Sequence, residues 1–395
     1  MERTDDRMQD FVYYTPTKVY FGRDSDNKIG KVIKEYGYSK VLIHYGGGSA
    51  EKSGLLAKIR KQLTDEGIRF VELGGVQANP RIELIRKGIE IAKKEAVDFI
   101  LAVGGGSVID SAKGIGMGLA NKMDPWDMII GQIRPEKGLP VGVVLTIASA
   151  GSEMSNSHVV TNGNIKRSLN HDLLRPVVAF CNPQYTFTVS KFQTACGIAD
   201  TLMHTIERYF TAEEGSELTD LIAEGLMVAV KKAGLTAIKE PDNYEARATL
   251  MWASSLSHNG LTGCGRNMLF PVHKLEHDLS GLYDIAHAAG LTVLFPAWAK
   301  YMYHHDIPRF CRFAVKVWDV VMDEAHPEKT ALEGIETIKR YFKEIGMPTT
   351  MSELGISPSE YDKIADMTTD KGNRTIMSYR PLNKEDIIKI YRLAE

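Results

Sequence analysis

Neither sign of charge dominates this chain: 48 lysines and arginines face 50 aspartates and glutamates, a formal net charge of −2 over 395 residues. Such a balance leaves no electrostatic footprint for nucleic acid or an anionic membrane surface, and neither is expected as a partner. Long apolar runs are missing too; no stretch approaches the ~20 apolar residues of a membrane-spanning helix. The first thirty residues mix charges with tyrosine and threonine and hold no apolar targeting core, so no signal peptide is expected there. Cysteine is scarce: Cys181, Cys196, Cys264 and Cys311 are scattered, with no CxxC pair. Buried free thiols in a reducing cytoplasm are expected, not disulfides or a thiolate metal site.

What remains is a globular composition, 44% apolar and 25% charged. The length exceeds a single ordinary core, so two domains are expected. Residues 12–22 suggest a short edge strand or hairpin. Beyond them, apolar strands at 40–45, 68–73 and 99–103 alternate with helix-period segments running to about Glu66, over 81–95 and over 108–119. Further strands fall at 140–146 and 176–181, with a hairpin around Asn162-Gly163. Continuous apolar strands between amphipathic helices predict a mostly parallel sheet covered on both faces. From Ser190 onward the spacing is helical throughout. The expected architecture is an α/β Rossmann-like domain over 1–185 and an all-α domain over 186–395.

Two glycine turns follow predicted strands. Gly104, Gly105, Gly106 and Ser107 stand where a buried strand meets a helix, an arrangement that brings backbone N–H groups close to a phosphate. Gly46, Gly47, Gly48 and Ser49 repeat it after the first strand. No acidic residue stands before Glu51, and Lys52 follows, so a ribose 2′-phosphate is accommodated and NADP(H) is the expected cofactor, with NAD(H) as the other possibility.

Asp200 and His204 lie four residues apart at helical spacing and share one face. His273 and His277 form a second such pair, and His287 follows fourteen residues after His273. On one straight helix that separation spans about 21 Å, too far for two ligands of one ion. A break is therefore required, and 280–284 supplies one, with Gly281 ending the first helix and Asp284 capping the next. A carboxylate with imidazoles suits ferrous iron or zinc. Spacing leaves the fourth ligand open between His277 and His287.

GGGSVID at Gly104 to Asp110, LTIASAGSE at Leu145 to Glu153, GIADTLMHTIE at Gly197 to Glu207 and the HKLEH…H run together resemble the iron-containing (group III) alcohol dehydrogenases. YGGGS after the first strand and DPW at Asp124 to Trp126 are most similar to its NADPH-dependent butanol dehydrogenase and aldehyde reductase members. The resemblance covers essentially the whole chain. It implies a metal held by Asp200, His204, His273 and His287, and an active site in the cleft between the two domains. It also implies that Gly104 to Ser107 hold the cofactor pyrophosphate, that Asp110, Thr146, Ser155 and Lys166 belong to the cofactor region, and that His277 lies beside the nicotinamide as the catalytic histidine. A homodimer paired through Val19 to Phe21 follows from it as well. Two departures stand out: Ala150 where many members carry threonine, and Asn182-Pro183 where Asp-Pro is common. The implied reaction is hydride transfer between NADP(H) and a small aliphatic aldehyde or primary alcohol, with Trp126, Met268, Leu269 and Phe270 as candidate apolar walls. A dehydroquinate synthase-like or glycerol dehydrogenase-like enzyme and a non-catalytic nucleotide-binding protein are the alternatives. The dehydroquinate synthase-like reading needs a basic phosphate pocket, for which only Arg266 and Lys274 stand near the histidine run.

Overall fold

The computed structural model describes residues 8–213 and 215–395. Residues 1–7, part of the stretch read above as free of a targeting core, lie outside them. The described chain divides into two compact units.

The sheet unit comprises Tyr14–Val189 and Asp242–Ser255. Its strands are β1 (Lys18–Phe21), β2 (Lys40–Tyr45), β3 (Arg69–Leu73), β4 (Phe99–Gly104), β5 (Val141–Leu145), β6 (Ser157–Asn162), β7 (Ile165–Asn170) and β8 (Val178–Cys181). Between them run α1 (Ile29–Glu35), α2 (Ser49–Lys52), α3 (Leu55–Asp65), α4 (Ile82–Lys94), α5 (Gly106–Asn121) and α6 (Pro125–Ile129). Six strands form one parallel sheet in the order β1-β8-β5-β4-β2-β3, while β6 and β7 make a separate antiparallel hairpin.

Strand alternation decides which helix covers which face. Val41, Ile43, Leu101 and Val103 join Ile29 and Ile33 of α1 and Leu56 and Ile59 of α3 in one core. Leu42, Ile100 and Ala102 point the other way, to Ile82 and Ile85 of α4 and Ile109 and Ala112 of α5. All of β4 is buried. At roughly 2 kcal/mol for each large apolar side chain taken from water, this central strand is a firm base for the turn at its end. The single helix expected after β2 is two, because Gly54 adopts φ 77 between α2 and α3.

The helical unit comprises 8–13, Ser190–Pro241 and Leu256–Glu395. Its helices are α7 (Lys191–Tyr209), α8 (Glu217–Lys239), the last turn of α9 (Tyr244–His258), α10 (Pro271–Tyr283), α11 (His287–Met302), α12 (Ile307–Trp318), α13 (Pro327–Glu344), α14 (Tyr361–Thr368) and α15 (Lys384–Leu393). Every residue of α7 from Thr194 to Tyr209 is buried, so it is the central rod of this unit. Just past its end Phe210 sits in an aromatic cluster, 4.4 Å from Phe310 and 5.0 Å from Phe313 between ring centres.

The chain passes from the sheet unit to the helical unit after Val189, and Asp242–Ser255 packs with the sheet unit. The cause is side-chain packing. Met251 enters a sheet core, Trp252 meets Phe21 edge-on at 5.9 Å, and Arg23 stacks on Tyr244 at 3.9 Å.

Candidate metal centre and nucleotide turns

Asp200 and His204 project from α7 one turn apart, with 3.4 Å between Asp200 Oδ1 and His204 Nδ1. His273 Nε2, from α10, comes within 4.0 Å of the same oxygen. Ligand atoms of these three buried residues all lie within 4.8 Å of one another. His204 Nδ1 and His273 Nε2 are buried and make no hydrogen bond among the described residues. Two such nitrogens turned toward one carboxylate oxygen in a buried site fit a divalent cation. Burial first, then His258, His273, Arg208 and His287 around it, holds the His204 pKa well below its usual value. Its imidazole is therefore neutral at pH 7, as a ligand must be.

Glu207 follows on the same face of α7. Its carboxylate accepts the Val272 N–H at 2.6 Å and the His273 N–H at 3.0 Å, and His273 Nδ1 donates to it as well. Pro271 opens α10 with no N–H to satisfy, so Glu207 takes the next two orphaned donors of that helix. With its proton fixed on Nδ1, His273 presents Nε2 as a lone pair. His287, the first residue of α11, repeats the pattern: its Nδ1 donates to the buried Glu276 of α10. Gly290 makes room for that carboxylate, since a Cβ there would lie 2.7 Å from Glu276 Cγ.

Three of the four expected ligands thus meet directly. His287 stands beside them, its ring centre 5.2 Å from that of His273, in a second group with Glu276 and His277. The required break between His273 and His287 is present, but not at Gly281. α10 continues to Tyr283, and Asp284 ends it in the left-handed region at φ 50, ψ 33; Ala286 then precedes α11. Asp284 is a C-cap and not the N-cap expected, because aspartate tolerates that conformation better than most side chains.

In the sheet unit, the β4 turn brings Gly106 so close to Ala150 that a Cβ would stand 3.0 Å from its methyl. Packing alone asks for glycine there. The turn after β2 is different. Gly46, Gly47 and Gly48 all avoid positive φ; a Cβ on Gly47 would meet nothing within 4 Å, and those on Gly46 and Gly48 only ordinary contacts at 3.5 and 3.6 Å. Neither backbone strain nor internal packing calls for three glycines, so the room above this turn suits a ligand. β2 and β4 are hydrogen-bonded neighbours with Tyr45 opposite Val103. The sheet grows outward from β2 to β3 and in the other direction from β4 to β5. Both turns therefore lie at the point of strand-order reversal, where open α/β sheets bind nucleotides, and the α5 N-terminus offers its N–H groups to a pyrophosphate.

Residues 16–183 match the iron-containing alcohol dehydrogenase family, and residues 194–394 match the C-terminal part of the Fe-containing alcohol dehydrogenase family. The chain belongs to the iron-containing alcohol dehydrogenases. It is 41% identical to NADH-dependent butanol dehydrogenase A of Clostridium acetobutylicum, over 98% of this chain and 99% of that one. It is 30% identical to the NADPH-dependent aldehyde reductase of Escherichia coli, over 98% and 100% of the two chains. The crystal structure of an NADH-dependent butanol dehydrogenase A from Thermotoga maritima superposes with a TM-score of 0.94 at 39% identity, covering 98% of this chain and 99% of that one.

For this alcohol dehydrogenase the expected cofactor-region residues divide into two kinds. Thr146 lies at the turn itself, its N–H donating to Gly104 O at 3.1 Å. Asp110 and Ser155 instead build the neighbouring loop. Asp110 accepts from Ser152 Oγ at 2.6 Å and from the Val159 N–H at 3.0 Å. Ser155, 1% exposed, accepts from Lys113, whose Nζ also reaches Ser152 Oγ at 2.8 Å and Ser157 O at 2.7 Å. Burial brings the Lys113 pKa down to about 8 against the pull of Asp110 and Glu153, leaving it charged at pH 7. Lys166 is buried on β7, opposite Thr161.

Asn182 has a physical reason to depart from aspartate. Its Nδ2 donates to Asp26 Oδ1 at 3.1 Å and to Arg23 O at 2.8 Å, and a carboxylate there would face another carboxylate. Of the candidate apolar walls, Trp126 packs against the sheet core, Met268 is half exposed, and Phe270 lies 5.1 Å from the His273 ring. Arg266 is consumed internally by Asp220 at 2.6 Å and by two backbone carbonyls, while Lys274 is exposed on α10. With Arg266 so engaged, the basic pair a dehydroquinate synthase-like reading would use for a phosphate is reduced to Lys274. Cys181, Cys196 and Cys311 are buried and free as expected; Cys264 is free but only half-buried.

Sequence reasoning passed over Glu207, Glu276, Lys113 and His258. Glu207 was findable, seven residues after Asp200 and so on the same helix face. His258, with its ring 4.0 Å from that of His204, gave no local signal.

Proposed function

We propose that this enzyme reversibly reduces small aliphatic aldehydes to primary alcohols, with a nicotinamide dinucleotide as the hydride donor. The convergence of Asp200, His204 and His273, with His287 alongside, carries the reading; the names butanol dehydrogenase and aldehyde reductase among its relatives support the substrate class. Asp200, His204, His273 and His287 hold a divalent ion, iron first and zinc as the alternative. Gly104 to Ser107 and Gly46 to Ser49 hold the dinucleotide. When bound, the ion supplies Lewis acidity toward a carbonyl oxygen and the dinucleotide supplies hydride.

The chain's own part is positioning and proton handling. Glu207 and Glu276 keep the Nδ1 protons of His273 and His287 in place, so their Nε2 lone pairs stay aimed. His277, one turn after His273, exchanges the alcohol proton at an imidazole nitrogen. The acid-free stretch from Tyr45 to Ser49 favours NADP(H), whereas relatives at 41% and 38% identity are named NADH-dependent and one at 30% NADPH-dependent. The carboxylates of Glu51 and Glu72, both bonded to Arg60 beside this turn, support NAD(H) as the first reading. The outer edge of β1, beside the exposed Phe21, suits pairing with a second copy as a homodimer. The free cysteines suit the cytoplasm, and no helix of the described residues is long and apolar enough to cross a membrane.

The test is an aldehyde panel with NADH and with NADPH on iron- and zinc-reconstituted protein. Nucleotide oxidation should match alcohol formed and depend on the metal. Asp200→Ala should lose both metal and turnover; retention of both would sink the assignment.

A further inference from the structure

A chain of side chains joins the two ends of the 46–49 turn. Tyr45, the residue entering it, lies on the same sheet face as Glu72 of β3, two residues beyond Ile43, which pairs with Glu72, and that carboxylate adds to burial in raising the phenol pKa. Glu72 accepts from Arg60 Nε at 2.8 Å and Nη2 at 2.9 Å. Arg60 Nη1 and Nη2 also donate, each at 2.8 Å, to the two oxygens of Glu51, just past the turn in α2. The Arg60 side chain is 30% exposed and that of Glu51 53%, so this buckle lies at the surface beside the turn and not in the core.

The arrangement bears on the choice of nucleotide. A pyrophosphate at the N-terminus of α5 places the adenosine ribose over the end of the adjacent strand, β2, where the buckle stands. Arg60 is the planar cation best suited to grip a 2′-phosphate, but two carboxylates already occupy its guanidinium. Glu51 and Glu72 together outweigh its charge by one. Lys52, with Cε 3.6 Å from where a Gly48 Cβ would be, brings the neighbourhood only to neutrality. A 2′-phosphate gains no attraction there, while a ribose hydroxyl needs none.

We infer that the Tyr45–Glu72–Arg60–Glu51 buckle selects NAD(H) over NADP(H), by fixing the 46–49 turn and withholding Arg60 from a 2′-phosphate. The inference rests on the dinucleotide reading above. It is tested by the intrinsic fluorescence of NADH and NADPH titrated into metal-loaded protein without substrate, a readout independent of turnover. Wild type should bind NADH more tightly. Glu51→Gln should tighten NADPH roughly tenfold, the scale of one exposed charge facing a phosphate, and leave NADH within about twofold. Arg60→Met, which leaves both carboxylates uncompensated, should move the ratio the other way. Opposite shifts in the two variants support the inference. A ratio unchanged in both, or a wild type that prefers NADPH, overturns it alone; failure of wild type to bind either nucleotide overturns the dinucleotide reading and this inference with it.

Discussion

Glu207 combines two tasks that helices and metal sites commonly give to different residues. It accepts the first available N–H groups of α10 and the Nδ1 proton of His273, so the helix start and the orientation of this proposed ligand depend on one carboxylate. Glutamine in its place offers one acceptor oxygen and an amide that faces donors. Glu207→Gln should therefore weaken metal binding by about 10–100-fold and cost about 1–2 kcal/mol of metal-free stability through the lost cap. Metal competition against a chelator reads the first effect and thermal denaturation of the apoprotein the second. Gly290→Ala is the complementary case. Its Cβ would meet the Glu276 side chain first, so metal affinity should fall while the α10 N-terminus is untouched. A Gly290→Ala protein with full metal affinity would show that Glu276 does not orient His287. At this scale Asp200 and His204 were legible as a candidate pair from their helical spacing, whereas the second such pair, His273 and His277, is divided between two groups. The carboxylates behind them were not, since an acid inside a helix reads as solvent-facing until burial is known.

β2 and α5 are tied by one buried histidine. His44 Nδ1 lies 2.8 Å from Leu73 O, so it must carry the proton, and Nε2 accepts from Ser111 Oγ at 2.8 Å. Burial lowers its pKa to about 4. The unfolded chain, with the group near 6.5, binds the proton first as pH falls. His44 therefore contributes full stability above about pH 6.5 and loses it progressively down to pH 4, up to roughly 3 kcal/mol. Replacing it with glutamine should flatten the pH dependence of the denaturant midpoint between pH 4 and 6.5; an unchanged slope would assign acid sensitivity elsewhere. The elements themselves were well marked in the sequence, because continuous apolar strands and helical spacing are local signals. β2 begins and ends where expected. Two features were not local. Asp242–Ser255 reads as one more helix of the C-terminal half, and only the packing of Met251 and Trp252 assigns it to the sheet unit. The break after α10 was required by ligand geometry, but its place depended on whether Gly281 or Asp284 would leave the helical region, which spacing does not decide.

At the scale of the whole molecule, the two proposed ligands draw on different parts of the chain. All four proposed metal ligands belong to the helical unit, and both glycine turns to the sheet unit. A ligand that binds only the folded state stabilises it by RT ln(1 + [L]/Kd), about 2.7 kcal/mol at a hundredfold excess over Kd. Without the ion, the buried Asp200, His204 and His273 keep the burial cost of their polar atoms with no cation to offset it. Iron should therefore raise the denaturation temperature of the helical unit, and reduced nucleotide that of the sheet unit. Asp200→Ala should abolish the first increment and preserve the second, while Glu51→Gln should leave the first intact and change the second only for NADPH. Scanning calorimetry of the full chain, with and without each ligand, separates these outcomes. A metal increment that survives Asp200→Ala would place the ion elsewhere, whatever the turnover of that variant.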